Sequence, residues 1–131
     1  MKIKSILLAL QEQINAGILN IFASMKKENK REIYEAHAEF CKTFAHPVRL
    51  AILDSFRQGE RTVSQLQDEL EVRQCTISQQ LSFLRRLGIV RSRRDGRQVY
   101  YRLTDQRVLS AYDLVDEVVR ETRLIQAKIL T

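Results

Sequence analysis

The chain has 131 residues, 44% of them hydrophobic, with four glycines and one proline. That suits one mostly helical domain, or one domain plus an appended helix, and excludes collagen-like and low-complexity readings. The net charge of +6 is not spread evenly: eight arginines and a single acid, Asp95, lie between Arg73 and Arg102, so the expected partner is a polyanion.

Cys41 and Cys75 show neither metal-ligand nor disulfide spacing. The opening MKIKSILLALQEQ begins like a signal peptide, but Gln11, Glu12 and Gln13 interrupt an apolar run of about five residues and no cleavage site follows. No stretch approaches the ~20 apolar residues of a bilayer span. A cytoplasmic protein without a membrane partner is expected.

From Ile3 to Met25 apolar residues recur at helical spacing: Ile3, Leu7, Leu10, Ile14, Ile18, Ile21 and Met25, with Ile6 and Phe22 widening the stripe. The polar face is too poor in basic residues for a membrane-surface helix, so this segment reads as a core or dimer helix. The polar run KKENKRE marks a break, and a second helix is predicted from Arg31 to Ala45. His46-Pro47 opens a third, because the fixed φ of proline suits the first helical position. That helix is expected to bury Val48, Ala51, Ile52 and Phe56 and to end at Gly59.

Thr62 followed by Gln65 forms a capping-box signature ahead of VSQLQDEL. After a link from Glu71 to Gln74, CTISQQLSFLRRLG carries Ile77, Leu81, Leu84 and Leu87 on one face and stops at Gly88. Two short helices joined by a tight turn form a helix-turn-helix candidate.

Asp95-Gly96 then signals a type I′ hairpin. Setting Arg94 opposite Arg97 gives the expected pairs Arg93–Gln98, Ser92–Val99, Arg91–Tyr100 and Val90–Tyr101. Alternation turns Val90, Val99, Tyr101 and Leu103 toward the helices and Arg91, Arg93, Gln98, Tyr100 and Arg102 away, with Arg91 stacked on Tyr100. Like charges across a hairpin cost roughly 0.2–1 kcal/mol, a cost that a phosphate backbone between them would reverse. The hairpin therefore reads as a wing that straddles DNA. Thr104 is expected to cap a final long helix with a heptad-like stripe of Val108, Tyr112, Val115, Val119 and Thr122. That is more apolar surface than so small a domain needs, and a two-fold dimer would bury it.

The stretches FAHPVRLAIL, QCTISQQLSFLRRLGIV and SRRDGRQVYYRL, in this order, resemble the ArsR/SmtB family of winged-helix bacterial repressors over residues 33 to 122. The resemblance implies a homodimer that binds a palindromic double-stranded operator and leaves it when an effector arrives. Residues 1–30 would be an N-terminal helical extension, and 31–131 the winged helix-turn-helix DNA-binding and dimerisation domain. The fold class is mostly α with a small β-hairpin.

By the same resemblance the recognition helix runs from Gln74 to Leu87, with Gln74, Cys75, Thr76, Ser78 and Gln79 where the family reads bases. Gln pairs bidentately with adenine, and Ser and Thr reach several base edges. Arg73, Gln80, Arg91, Arg93, Arg94 and Arg97 would contact phosphates, which position without specifying. Gln80 stands where the family often has histidine, and Arg73 where it often has a serine cap. Tyr112, Val115 and Val119 would form the dimer seam.

Neither of the family's metal sites is expected here. Thr62, Ser64 and Gln67 stand at its thiolate positions. Asp105 and Glu121 match its zinc carboxylates, but Arg107 and Val118 replace both imidazoles. No metal, cofactor or catalysis is expected, since no phosphate loop or nucleophile elbow occurs.

The effector stays unidentified. One candidate is a thiol switch at Cys75, in a first helical turn that favours an anion, with Cys41 as resolving partner. Oxidation there would add bulk at the DNA face. The alternative reading is a winged-helix module binding an acidic protein or RNA.

Overall fold

The computed structural model describes residues 2–24 and 27–130, and the side chains of 2–17 and 29–130. The chain divides into two units, Met1–Ala38 and Glu39–Thr131.

In the first unit lie α1 (Lys2–Ser24) and most of α2 (Lys27–Cys41). The expected helix at the N-terminus is present, but its stripe is not core: Ile3, Leu7, Leu10 and Ile14 are 49–73% exposed. The predicted stripe positions Ile18, Ile21, Phe22 and Met25 lie outside the described side chains. The second helix starts at Lys27 rather than the expected Arg31. Lys and Glu are good helix formers, so this polar run extends the helix instead of ending it.

In the second unit, α2 gives way to a single 3-10 turn, Lys42–Phe44, where the sequence predicted α-helix as far as Ala45. The reason is a competing donor. The guanidinium of Arg49 gives two hydrogen bonds, 3.1 and 2.6 Å, to the Lys42 carbonyl. Next comes α3 (Pro47–Ser55), with Pro47 in its first turn and His46 Nδ1 accepting the Val48 N–H at 3.1 Å.

The helix-turn-helix consists of α4 (Val63–Leu70) and α5 (Gln74–Arg86). The capping box is complete: Thr62 Oγ1 accepts the Gln65 N–H at 3.1 Å, and Gln65 Oε1 accepts the Thr62 N–H at 2.9 Å. Glu71 closes α4 in the left-handed region, φ 54°, at a cost of roughly 1–2 kcal/mol for a residue with a Cβ.

Ile52 and Leu53 of α3, Leu66 of α4 and Ile77, Leu81 and Leu84 of α5 are at most 1% exposed. Each such burial contributes roughly 1.5–3 kcal/mol. Val48 and Ala51, expected in the core, are only half-buried, and Leu53 takes their place. Every third or fourth residue of α5 is thus committed inward, which fixes what its other face presents.

Strands β1 (Val90–Asp95) and β2 (Gln98–Leu103) form the expected antiparallel hairpin, but in a different register. Val90 pairs with Leu103, Arg91 with Arg102, Ser92 with Tyr101, Arg93 with Tyr100 and Arg94 with Val99. Each partner lies two positions from the expected one. The two-residue loop is Gly96-Arg97, not Asp95-Gly96, and Gly96 alone has positive φ, +60°. That is the type II′ arrangement, with glycine first.

A slip of two preserves the faces, so Val90, Tyr101 and Leu103 still turn inward and are buried or half-buried. It abolishes the expected Arg94–Arg97 pair, and the like-charge crossing falls on Arg91 and Arg102 instead. Arg93, not Arg91, lies over Tyr100, 4.5 Å from the ring centroid. Arg61 adds a bridge on the far side of β2, exchanging hydrogen bonds of 3.0 and 2.8 Å with Tyr101.

The last helix, α6, is Arg107–Leu130. Its first N–H is capped by Asp105 rather than by the expected Thr104, with Asp105 Oδ1 accepting the Arg107 N–H at 2.9 Å. The Thr104 N–H is turned back to the Ile89 carbonyl at 2.9 Å, which holds Thr104 in the sheet exit.

Candidate nucleic-acid interface

With Ile77, Leu81 and Leu84 buried, the i, i+3, i+4, i+7 positions Cys75, Ser78, Gln79 and Ser82 form the outer face of α5 and are all exposed. Gln74 is exposed beside them at the helix start, and Thr76 is half-buried on the flank of that face. Arg73 is the N-cap residue and gives no side-chain cap, so the first amides of α5 keep their capacity for an outside acceptor. Arg85 and Arg86 place cations in the last turn, where the helix dipole favours them.

Gln80 has a different role from its neighbours. Its Oε1 accepts a 2.7 Å hydrogen bond from Arg49 Nη1, and the Arg49 guanidinium lies 4.2 Å from the centroid of the Phe83 ring. Arg49 is only 9% exposed and ties the turn after α2 to α5. No sequence signal marked this contact.

The wing arginines also divide. Arg91, Arg94 and Arg97 are exposed and form no ion pair among the described residues. Arg93 is engaged: its Nε lies 2.9 and 3.0 Å from the two Glu60 oxygens and its Nη2 lies 2.7 Å from Oε2. That contact holds the Glu60 carboxyl below its ordinary range. Of the residues predicted to meet phosphate, Gln80 and Arg93 are therefore already hydrogen-bonded inside the protein.

Comparison with known proteins bears on this arrangement. The sequence profile described as "Bacterial regulatory protein, arsR family" matches residues 46–92. The biofilm growth-associated repressor of Agrobacterium fabrum is 47% identical over 66 residues, which are 50% of this chain and 56% of that protein. The biofilm growth-associated repressor of Xylella fastidiosa is 38% identical over 86 residues, 66% of this chain and 75% of that protein.

The chain belongs to the ArsR family.

A solved relative shares the fold as well. The homodimeric winged helix-turn-helix DNA-binding domain from Mycobacterium bovis is 31% identical, superimposes with a TM-score of 0.66, and is matched over 76% of this chain and 92% of that one. The family profile thus spans α3, α4, α5 and the start of β1.

Three of the positions at which the ArsR resemblance places metal ligands, Thr62, Asp105 and Arg107, are engaged otherwise here. Thr62 caps α4. Asp105 makes a two-point contact with Arg107, its Oδ1 and Oδ2 lying 3.1 and 3.0 Å from Nε and Oδ2 2.7 Å from Nη2. The guanidinium holds the Asp105 carboxyl down at about 2. A carboxyl depressed in the folded state contributes stability above its unfolded pKa and loses it as pH falls through the folded value. The Asp105–Arg107 contact should therefore persist from neutral pH to about pH 3 and open near 2. In Arg107→Ala, a carboxyl titration by NMR should show the Asp105 midpoint moving up toward the usual aspartate range. An unmoved midpoint would mean that the Arg107 N–H, not its side chain, sets it.

Cys75 lies on the exposed face of α5 and Cys41 at the end of α2, both as exposed free thiols. On α6, Tyr112 is half-buried under Arg57, 5.2 Å from the ring centroid. Val115 and Val119 remain 49% and 47% exposed. With Phe44, Leu50, Tyr112 and Asp116 they line a largely apolar hollow of about 190 Å³. Among the described residues, no helix is long and apolar enough to cross a membrane.

Proposed function

We propose that this protein is a transcriptional repressor that binds a palindromic duplex operator as a homodimer and leaves it when an effector arrives. One observation carries the reading: an exposed polar helix face of Gln74, Cys75, Ser78 and Gln79 precedes a hairpin whose Arg91, Arg94 and Arg97 have no acidic partner among the described residues. The helix face supplies bidentate and hydroxyl groups for base edges, while the arginines supply charge for phosphates. Thr76 would join the base-reading set at its rim, and Arg73 the phosphate set. Two-fold pairing through Tyr112, Val115 and Val119 would place two recognition helices about 34 Å apart, one turn of duplex.

Residues 1–30 would be an appendage to this regulator, and 31–131 its binding and dimerisation part. Release would act through the winged part. The exposed Cys75 thiol is a candidate trigger, because an oxidised sulfur there adds bulk on the proposed DNA face.

The test is binding to duplex fragments selected from the host genome, in excess RNA. On the selected operator Gln79→Ala should lose roughly 1–3 kcal/mol, and little on random duplex. Arg94→Ala combined with Arg97→Ala should weaken both duplexes alike and flatten the salt dependence by about 0.9 for each phosphate left without its arginine. Competition by RNA as effective as by duplex would replace the operator reading with RNA binding.

A further inference from the structure

Glu60 is the residue that decides how many wing arginines are free. It sits between Gly59 and Arg61, and the Arg61 N–H and carbonyl are both bonded to Tyr101. The Glu60 backbone is thus fixed against the wing rather than hanging from a loop. Its carboxylate meets Arg93 through three contacts of 2.7–3.0 Å, in the planar two-point geometry that arginine also uses on phosphate. Tyr100 supports the guanidinium from below at 4.5 Å. Asp95 adds a weaker contact, 3.8 Å from Nη1. Arg61 is itself held by Glu69 and Gln58, so it does not draw Glu60 away.

We propose that Glu60 acts as an internal phosphate mimic: it holds Arg93 in the wing's own structure, keeps it off the DNA backbone, and so limits sequence-independent binding. This rests on the DNA-binding reading above. It makes Glu60 a positioning residue that touches no base and sets how many wing arginines reach phosphate. The wing then presents Arg91, Arg94 and Arg97 to phosphate, and Arg93 serves as a strut. Affinity then falls for every sequence alike while base contacts are untouched, so the ratio of operator to random-duplex binding is kept and less of the protein is held on bulk DNA.

The experiment is a double-mutant cycle with the full-length chain on random duplex, over a range of salt. Glu60→Gln should raise affinity several-fold and steepen the log–log salt slope by about 0.9 per wing, as each released arginine displaces one more counterion. Arg93→Ala alone should leave the slope as in the wild type. In Glu60→Gln/Arg93→Ala the steepening should vanish. If it persists without Arg93, Glu60 acts only as a repulsive charge and the proposal is wrong. It is equally wrong if Arg93→Ala already flattens the wild-type slope, since Arg93 would then be on phosphate. Circular dichroism melts report the fold of each variant, and Glu60→Ala repeats the arm should Glu60→Gln fail to fold. A wild type with no salt-dependent duplex binding overturns the DNA reading itself, and this inference with it.

Discussion

Val115→Asp is expected to turn a dimer into a monomer in light scattering at micromolar concentration. Val115 is 49% exposed in the protomer and lies on the face of α6 that carries Tyr112 and Val119. An aspartate there stays solvated in the single chain and should leave its folding nearly unchanged. In the proposed seam it becomes an unpaired buried charge, at a cost of about 3–5 kcal/mol, or roughly a thousandfold in dimer dissociation constant. The exposed, non-seam Glu117→Ala serves as a control and should keep the mass of the wild type. A dimer that survives Val115→Asp would place the interface elsewhere than on α6.

Arg49→Met is expected to lower unfolding stability by about 2–3 kcal/mol. The substitution keeps most of the apolar stem but removes the hydrogen bonds to Lys42 and Gln80 and the stacking on Phe83. Hydrogen bonds to charged groups contribute roughly 1.5–3 kcal/mol each in mutational series. Two effects hold the total down. The Lys42 carbonyl still accepts the Ala45 N–H at 3.1 Å, and the half-buried Gln80 amide can turn to water. Burial also disfavours the charged guanidinium, which is relieved in the variant. Urea unfolding measures the difference, and a loss under about 0.5 kcal/mol would make Arg49 dispensable to the packing of α5.

Much of this architecture is written locally, and what is local could be read. The Thr62–Gln65 box and the spacing of Ile77, Leu81 and Leu84 each sit within a few residues of one another, so periodicity and capping chemistry place α4 and α5 directly. The hairpin was legible in its faces but not in its pairing. Asp-Gly and Gly-Arg both satisfy a two-residue loop, and a slip of two leaves every side chain on its expected face. Helix ends were missed where a distant group intervenes, as Arg49 does at Lys42. The same limit hid the two contacts that set apart Gln80 and Arg93. Arg49 and Gln80 are 31 positions apart, Glu60 and Arg93 33, and no spacing rule links a glutamate in one turn to an arginine in a later strand.

An isolated two-stranded hairpin is only marginally stable in water, and this one does not stand alone. Tyr101 is paired with Ser92 on one side and Arg61 on the other, so the base of the wing is a short three-stranded patch continuous with the entry to α4. Only Gln98, Val99 and Tyr100 of β2, their partners and the loop project beyond it, a lever of about 10 Å at the usual strand rise. The conformational entropy of ordering the wing is therefore largely lost when the protein folds, not when it meets a ligand. A preorganised arm of this kind gives up little binding free energy to its own immobilisation, so each exposed guanidinium at the tip counts nearly in full toward the charge that a polyanion encounters.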